Sequence, residues 1–167
     1  MSEDEVPGWR HDIRDVSSEV EAMEAELERS TRTLVDVLVD EGRQGSDVRL
    51  ETLAGEVAGR IGHVGGELTT IDTDGGAVAV GLDTVTSLSI TREGDSVHRV
   101  TRGHPESLLA TMRELVNSGA MVEVGRPSGL PIAGTVVAAG PSHVELETIA
   151  GACFVPVHAI CWVRTLD

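Results

Sequence analysis

Aromatic residues are nearly absent from this sequence. Its 167 residues include two Trp, one Phe and no Tyr. Any core therefore has to be built from Val, Ile, Leu and Ala. The hydrophobic fraction of 40% is still that of a globular protein, and the length allows one ordinary domain or two very small ones.

Cysteines and long apolar segments are equally scarce. The two Cys are too few for a secreted disulfide scaffold, and no stretch approaches the roughly 18 apolar residues that a membrane span requires. The N-terminus is acidic, whereas a signal peptide begins with basic residues followed by an apolar stretch. These absences predict a cytoplasmic protein with no membrane partner.

Positive charge is the third scarcity. All 13 basic residues are Arg, and against 28 acidic residues they leave a net charge of −15. Residues 1–30 alone hold ten acids and three Arg, which gives −7. Because proteins bind nucleic acids largely through cation contacts with phosphates, this balance disfavours tight, non-specific binding to DNA or RNA. The exclusive use of Arg is typical of a GC-rich genome, and a salt-adapted acidic surface is the alternative.

The sequence also lacks a recognisable catalytic, cofactor or metal motif. Cys153, His158 and Cys161 do not have the spacing of a zinc knuckle, and the glycines between residues 59 and 66 lack the Lys-Ser/Thr pair of a phosphate-binding loop. No nucleophile is grouped with a base and oxyanion donors. We therefore expect a protein that is not an enzyme, with no cofactor and no metal, whose two Cys are small buried strand residues.

What the sequence does contain is the same unit twice. Residues 57–90 align with residues 132–165 at a shift of 75 positions without a gap, and just upstream Val48 aligns with Val122 at a shift of 74. The matching positions are glycines and apolar residues, and they include the pairs Val57/Ile132, Gly59/Gly134, Ile61/Val136, Ile71/Leu146, Gly76/Gly151, Val80/Val155 and Leu88/Val163. A duplicated small β unit explains this pattern, because such residues set turns and cores.

Each copy is predicted to be a helix followed by five short strands. The strands are expected at residues 47–53, 56–64, 67–73, 76–81 and 84–90 of the first copy, and at 120–125, 131–139, 142–149, 152–156 and 159–165 of the second. Gly65-Gly66 and Asp74-Gly75-Gly76 are expected to form hairpin turns by supplying positive φ. Five bent strands close naturally into a small barrel, which removes exposed edges.

The predicted fold class is therefore mainly β with helices (α+β), containing two tandem five-stranded small barrels that each follow a helix. The predicted segments are an acidic amphipathic helix at 1–46, a first barrel at 47–90, a linker at 91–104, a helix at 105–119 and a second barrel at 120–167. Pro105 is expected at the first position of the second helix, which Gly119 ends. Trp162 aligns with Ser87 and is expected in the core or at the junction between the barrels.

The N-terminal helix carries apolar residues at alternating three- and four-residue spacing, the pattern of a heptad seam. The stripe consists of Ile13, Val16, Val20, Met23, Leu27, Leu34 and Val37, with Ser30 as its one polar interruption. Ser18 with Glu21 is a candidate capping box, and Gly42 and Gly45 are expected to end the helix. The stripe either packs on the protein's own barrels or forms a seam with another chain, so we expect self-association, as a dimer, or a protein partner.

The layout of the second copy is similar to the Sm-like fold, a small barrel of five bent strands behind a helix. The run from Phe154 to Val163, FVPVHAICWV, resembles the second motif of the bacterial Sm-like RNA chaperone, where a Lys-His-Ala-Ile run precedes the last strand. His158 matches the His of that run, whereas Val157 stands in place of the Lys. In the first copy Asp83 occupies the position of the His.

This resemblance implies two functions. An RNA-binding post-transcriptional regulator would use His158 with Arg99 and Arg102 of the locally basic linker as its rim. Because the Lys is missing from both copies, a non-enzymatic assembly or protein-binding module is the first expectation. Sm-like barrels commonly associate through the open edges of strands four and five, and in a tandem chain the second barrel can serve the first as that partner. The whole chain also resembles a set of uncharacterised actinobacterial proteins with a long N-terminal helix and two such β units.

Overall fold

The computed structural model describes residues 9–95, 97–103 and 105–167, with side chains from residue 16 onward within those ranges. This part of the chain is mainly β, with helices α1 (Trp9–Thr31), α2 (Leu34–Gln44) and α3 (Leu108–Ser118). The strands are β1 (Asp47–Thr52), β2 (Gly55–Val64), β3 (Leu68–Thr73), β4 (Gly76–Gly81), β5 (Val85–Arg92), β6 (Thr101–Arg102), β7 (Met121–Gly125), β8 (Ile132–Ala139), β9 (His143–Thr148), β10 (Gly151–Pro156) and β11 (Trp162–Leu166). Helix α1 belongs to one compact unit, Met1–Leu34, and Val35–Asp167 forms a second.

The N-terminal stripe lies on two helices, so the prediction of one helix through residue 46 is wrong. The hydroxyls of Ser30 and Thr31 both donate to the carbonyl of Leu27 at 2.9 Å, and such side-chain bonds compete with continuation of a helix. Ser18 lies inside α1 rather than at its start, so the predicted capping box does not begin a helix. The side chain of Ile13 lies outside the described residues.

Helix α2 ends at Gly45, one of the two glycines predicted to end it, whereas Gly42 lies inside the helix. Gly45 adopts a φ of 69°, a left-handed conformation that glycine reaches without steric cost. The N–H of Ser46 then donates to the carbonyl of Glu41 at 3.0 Å, which closes the helix in a Schellman motif. Leu38 and Val39 are buried, so α2 packs within the second unit.

The strands confirm the predicted internal repeat. The first copy has the order β5-β1-β2-β3-β4, and the second has the equivalent order β11-β7-β8-β9-β10. Each second strand carries a register shift at the same place, between Ile61 and His63 in β2 and between Val136 and Ala138 in β8. Since a bulge bends a strand and increases its twist, the two copies share their bend as well as their strand order.

The strands of each copy do not close on themselves, so the expected closure into hydrogen-bonded barrels is not seen. The fourth strand of the first copy instead pairs with the fifth strand of the second, antiparallel, with Val163 opposite Ala79. One sheet thus runs through both copies and ends at β10 on one side and β5 on the other. Short β6 lies off this path and pairs in parallel with β2.

The core is aliphatic, as the shortage of aromatic residues predicted. Around the second copy, one buried cluster joins α3 to β7–β11 and includes Ala79 from the first copy. Its fully buried members are Met112, Val122, Val124, Val144 and Leu146, and in the first copy Val48, Leu50, Leu68, Ile71 and Val80 are buried to the same degree. The buried residues alternate along β1, β7 and β9, the period of two expected for a sheet with one buried face.

The start of α3 differs from the prediction. Ser107 has extended backbone angles and its hydroxyl accepts the N–H of Ala110 at 3.2 Å, so Ser107 is the N-cap and Pro105 precedes the helix. The carbonyl of Pro105 instead accepts a hydrogen bond from buried His63 Nε2 at 2.9 Å. Gly119, with a φ of 64°, ends the helix as expected. His104 lies outside the described residues.

Both predicted hairpin turns are present, but only one of them contains a glycine with the expected positive φ. Gly76 has a φ of 103°, and its equivalent Gly151 has a φ of 112°. Gly65 and Gly66 form the predicted turn between β2 and β3, where the N–H of Gly65 donates to the carbonyl of Leu68 at 2.8 Å, but neither has the expected positive φ. A Cβ on Gly65 would lie 2.7 Å from the carbonyl oxygen of Pro105, which shows that close approach of the chain, rather than left-handed backbone, requires glycine there.

Candidate functional site

The predicted linker belongs to the second unit and packs there against the end of α2. The N–H of His98 donates to the carbonyl of Arg43 at 2.9 Å, and a Cβ on Gly45 would lie 2.0 Å from the His98 ring. Arg99 is exposed and lines a groove of about 840 Å³ between this segment and the end of α2. Arg43 and Asp95 line the same groove, so the positive charge there is partly balanced.

His158 lines a different cleft, at the place where the two copies meet. It is exposed on the short 3₁₀ turn Val157–Ala159, and the cleft has a volume of about 650 Å³. Its walls are built from equivalent residues of the two copies, including the pairs Gly66/Pro141, Glu67/Ser142, Leu82/Val157 and Asp83/His158. The first residues of α3 complete the lining.

The charges of this cleft are unfavourable for phosphate. Glu67 and Asp83 are exposed at its wall, and none of its lining residues is Arg. Beside the cleft the Glu106 carboxylate accepts the N–H of Gly66 at 2.6 Å, so one backbone donor is already occupied by an acid. Phosphate binding depends on cations and free N–H donors, and this arrangement supplies one His among carboxylates.

The structure therefore does not bring the three predicted rim residues into one cleft. His158 lies at the junction of the copies, Arg99 lies in the groove beside α2, and exposed Arg102 lies on β6, next to Val64 of β2. No sequence pattern indicates this separation, because the packing of the linker on Gly45 depends on contacts between distant segments.

Hydrogen bonds outside the β4–β11 strand pairing also join the two copies. The carbonyl of Cys161 accepts the N–H of Gly81 at 2.9 Å and the hydroxyl of Thr84 at 3.3 Å. Trp162 reaches from β11 to the β1–β2 turn, where its indole N–H donates to the carbonyl of Ala54 at 3.4 Å. Trp162 thus lies at the junction, one of the two positions that the sequence analysis expected.

The two thiols have different surroundings. Cys161 is fully buried just before β11, whereas Cys153 on β10 is half-buried. Burial raises the pKa of the Cys161 thiol, the charge of Asp83 raises it further, and a hydrogen bond from Thr84 lowers it. Within the described ranges, no three His, Cys, Asp or Glu side chains are grouped to hold a metal ion.

The two open ends of the sheet are β10, the fourth strand of the second copy, and β5, the fifth strand of the first copy. Strand β10, GACFVP, contains no charged residue, and Phe154 on it is 60% exposed. Strand β5 at the other end presents exposed Ser87 and Ser89. An uncharged strand edge without a neighbour is a template for pairing with another strand, and proteins usually protect such edges with charges. The edge of β10 is therefore our candidate assembly site.

Comparison with known proteins adds no assignment, since no protein-family profile matches the chain and no curated protein matches it. Among the described residues, no helix combines the length and apolar character needed to cross a membrane.

Proposed function

We propose that this protein is a non-enzymatic assembly or protein-binding module of the cytoplasm, built from a fused pair of Sm-like barrels. One observation carries the proposal. Strand β4 of the first copy already accepts strand β11 of the second copy as its neighbour. The chain itself thus contains one example of the contact by which its remaining edges would assemble.

The internal repeat fixes the register of the proposed contact between chains. In the internal junction Val163 lies opposite Ala79, and Arg164 lies opposite Val78. A shift of 75 positions places Leu88 opposite Phe154 and Ser89 opposite Cys153 in the equivalent contact between β5 of one chain and β10 of another. This contact would cover exposed Phe154 and pair both open edges.

Pairing of both edges requires a closed ring, and the dimer that we propose is the smallest such ring. Contacts between unlike edges form closed rings when the rotation closes and open filaments when it does not. Two chains contain four β units, and a two-chain ring would use each of the four open edges once. An assembly of this kind requires no metal, cofactor or catalytic group.

Light scattering after size-exclusion chromatography tests this proposal. We expect a mass of twice 17.6 kDa, and Phe154→Glu should weaken the dimer by about tenfold or more, because it places a charge within a paired edge. Val97→Glu is the matched control, since Val97 is 95% exposed and lines the groove beside α2 instead of lying on β10. A monomer at all concentrations, or a ring of six or seven chains, would contradict the proposal.

RNA binding is the alternative function. Its support is limited to the resemblance around His158, and the separated Arg residues and the acids of the cleft weigh against it. A gel shift with U-rich RNA that weakens steeply as salt rises, and that Arg99→Ala with Arg102→Ala reduces, would replace the assembly proposal.

A further inference from the structure

We propose that α1 is a docking surface for a basic amphipathic helix of another protein, rather than a seam for a second copy of this chain. The first observation is an exposed apolar stripe along one face of α1. Val16 is 57% exposed, Val20 45%, Met23 73% and Leu27 64%. Their spacing of four, three and four residues is that of a coiled-coil seam, so a partner helix is the structure that fits this face.

The residues that flank the stripe decide which helix fits. In a heptad that places Val20 and Leu27 at position a, Glu19 and Glu26 occupy position g and Glu24 occupies position e. No basic residue occupies a flanking position between residues 16 and 31. Arg29 lies on the outer face, where it forms an exposed ion pair with Glu26 at 3.8 Å.

A second copy of α1 would meet this surface with like charges. In a parallel pair, position g faces position e of the partner, so Glu19 would face Glu24 of the other chain. In an antiparallel pair, Glu would again face Glu at equivalent positions. A helix with Arg or Lys at its flanking positions would form ion pairs at the same places, while its apolar residues cover the stripe.

Two labelled synthetic peptides test the inference on the full chain. Both are helices of three heptads with Leu along the seam, and they differ only in carrying Arg or Glu at the flanking positions. The Arg peptide should bind at least about tenfold more tightly than the Glu peptide in fluorescence anisotropy, because each flanking pair changes from attraction to repulsion. The difference should shrink as salt rises.

Variants in α1 locate the binding. Val20→Ser combined with Leu27→Ser should reduce binding of the Arg peptide by at least about tenfold, while Glu28→Gln on the outer face should leave it within about twofold. An unchanged melting transition checks that the second unit remains folded in each variant. Equal affinity for both peptides, binding that survives the double substitution, or a dimer that the double substitution abolishes would overturn the inference.

Discussion

Gly59→Ala should destabilise the protein by about 3 kcal/mol, a large loss for a single methyl group. A Cβ at this position would lie 2.1 Å from the backbone carbonyl oxygen of Asp72 on the neighbouring strand. A backbone atom cannot rotate away, so β2 and β3 would have to separate. Urea unfolding followed by circular dichroism measures the loss.

Two further glycines make this prediction specific. At the equivalent Gly134, a Cβ would lie 2.7 Å from the carbonyl oxygen of Glu147, so Gly134→Ala should cost less, about 1–2 kcal/mol. Gly62→Ala is the control on the same strand, because there the close atoms belong to the Asp72 side-chain carboxylate, which can move. Equal stabilities of the Gly59 and Gly62 variants would contradict the close approach of the strands.

Val163→Asp should be more damaging still, with a loss of more than about 3 kcal/mol, because it buries an unpaired charge. Val163 is 3% exposed and lies in β11, opposite Ala79 of the other copy. Thr165→Asp is the matched control, since Thr165 lies on the same strand and is exposed. Its unfolding midpoint should change little.

The alkylation rates of the two thiols show which part of the structure becomes exposed in the Val163 variant. In the unaltered protein Cys161 is fully buried and its pKa is raised by that burial, so iodoacetamide at pH 8 should modify Cys153 first. In Val163→Asp the alkylation of Cys161, followed by peptide mass spectrometry, should become as fast as that of Cys153. Continued protection of Cys161 together with unchanged stability would show that β11 does not hold the copies together.

The repeat, the strands and most of the turns were predictable from the sequence, because they depend on local chemistry. Gly59 and Gly134 align in the sequence, and each approaches the carbonyl of an equivalent residue, Asp72 or Glu147. Gly76 takes the positive φ that its turn requires. The spacing of glycines and apolar residues directly indicates the repeat, the strands and the turns.

The neighbours of the strands were harder to predict than the strands themselves. A period of two shows which face of a strand is buried, but it does not show which strand lies beside it. The strand pattern predicted a closed sheet within each copy, whereas β4 pairs with β11 of the other copy. Pairing of strands four and five between the copies was expected only from the Sm-like resemblance. The strand pattern also does not indicate that β10 and β5 form the two ends of the sheet.

The predictions of the helix boundaries and of the site were wrong where polar contacts between side chains and backbone determine the structure. Ser107 rather than Pro105 begins α3, because its hydroxyl caps the helix. At the end of α1 the hydroxyls of Ser30 and Thr31 donate to the carbonyl of Leu27, bonds that compete with continuation of the helix. Arg99 follows the path of the linker past α2, so it does not join His158 in one cleft.

Disulfide trapping at the open edges tests most directly whether two chains assemble as the two copies do. Ser89→Cys should form an intermolecular disulfide with Cys153 under mild oxidation, because residues opposite each other in antiparallel strands have Cα atoms roughly 4.5–5.5 Å apart, within disulfide range. Ser87→Cys lies two residues from Ser89 on the same strand and would face Val155 rather than Cys153, so it should link at least about tenfold more slowly. Equal linking of both variants, or no linking under conditions where light scattering finds a dimer, would contradict assembly through β5 and β10.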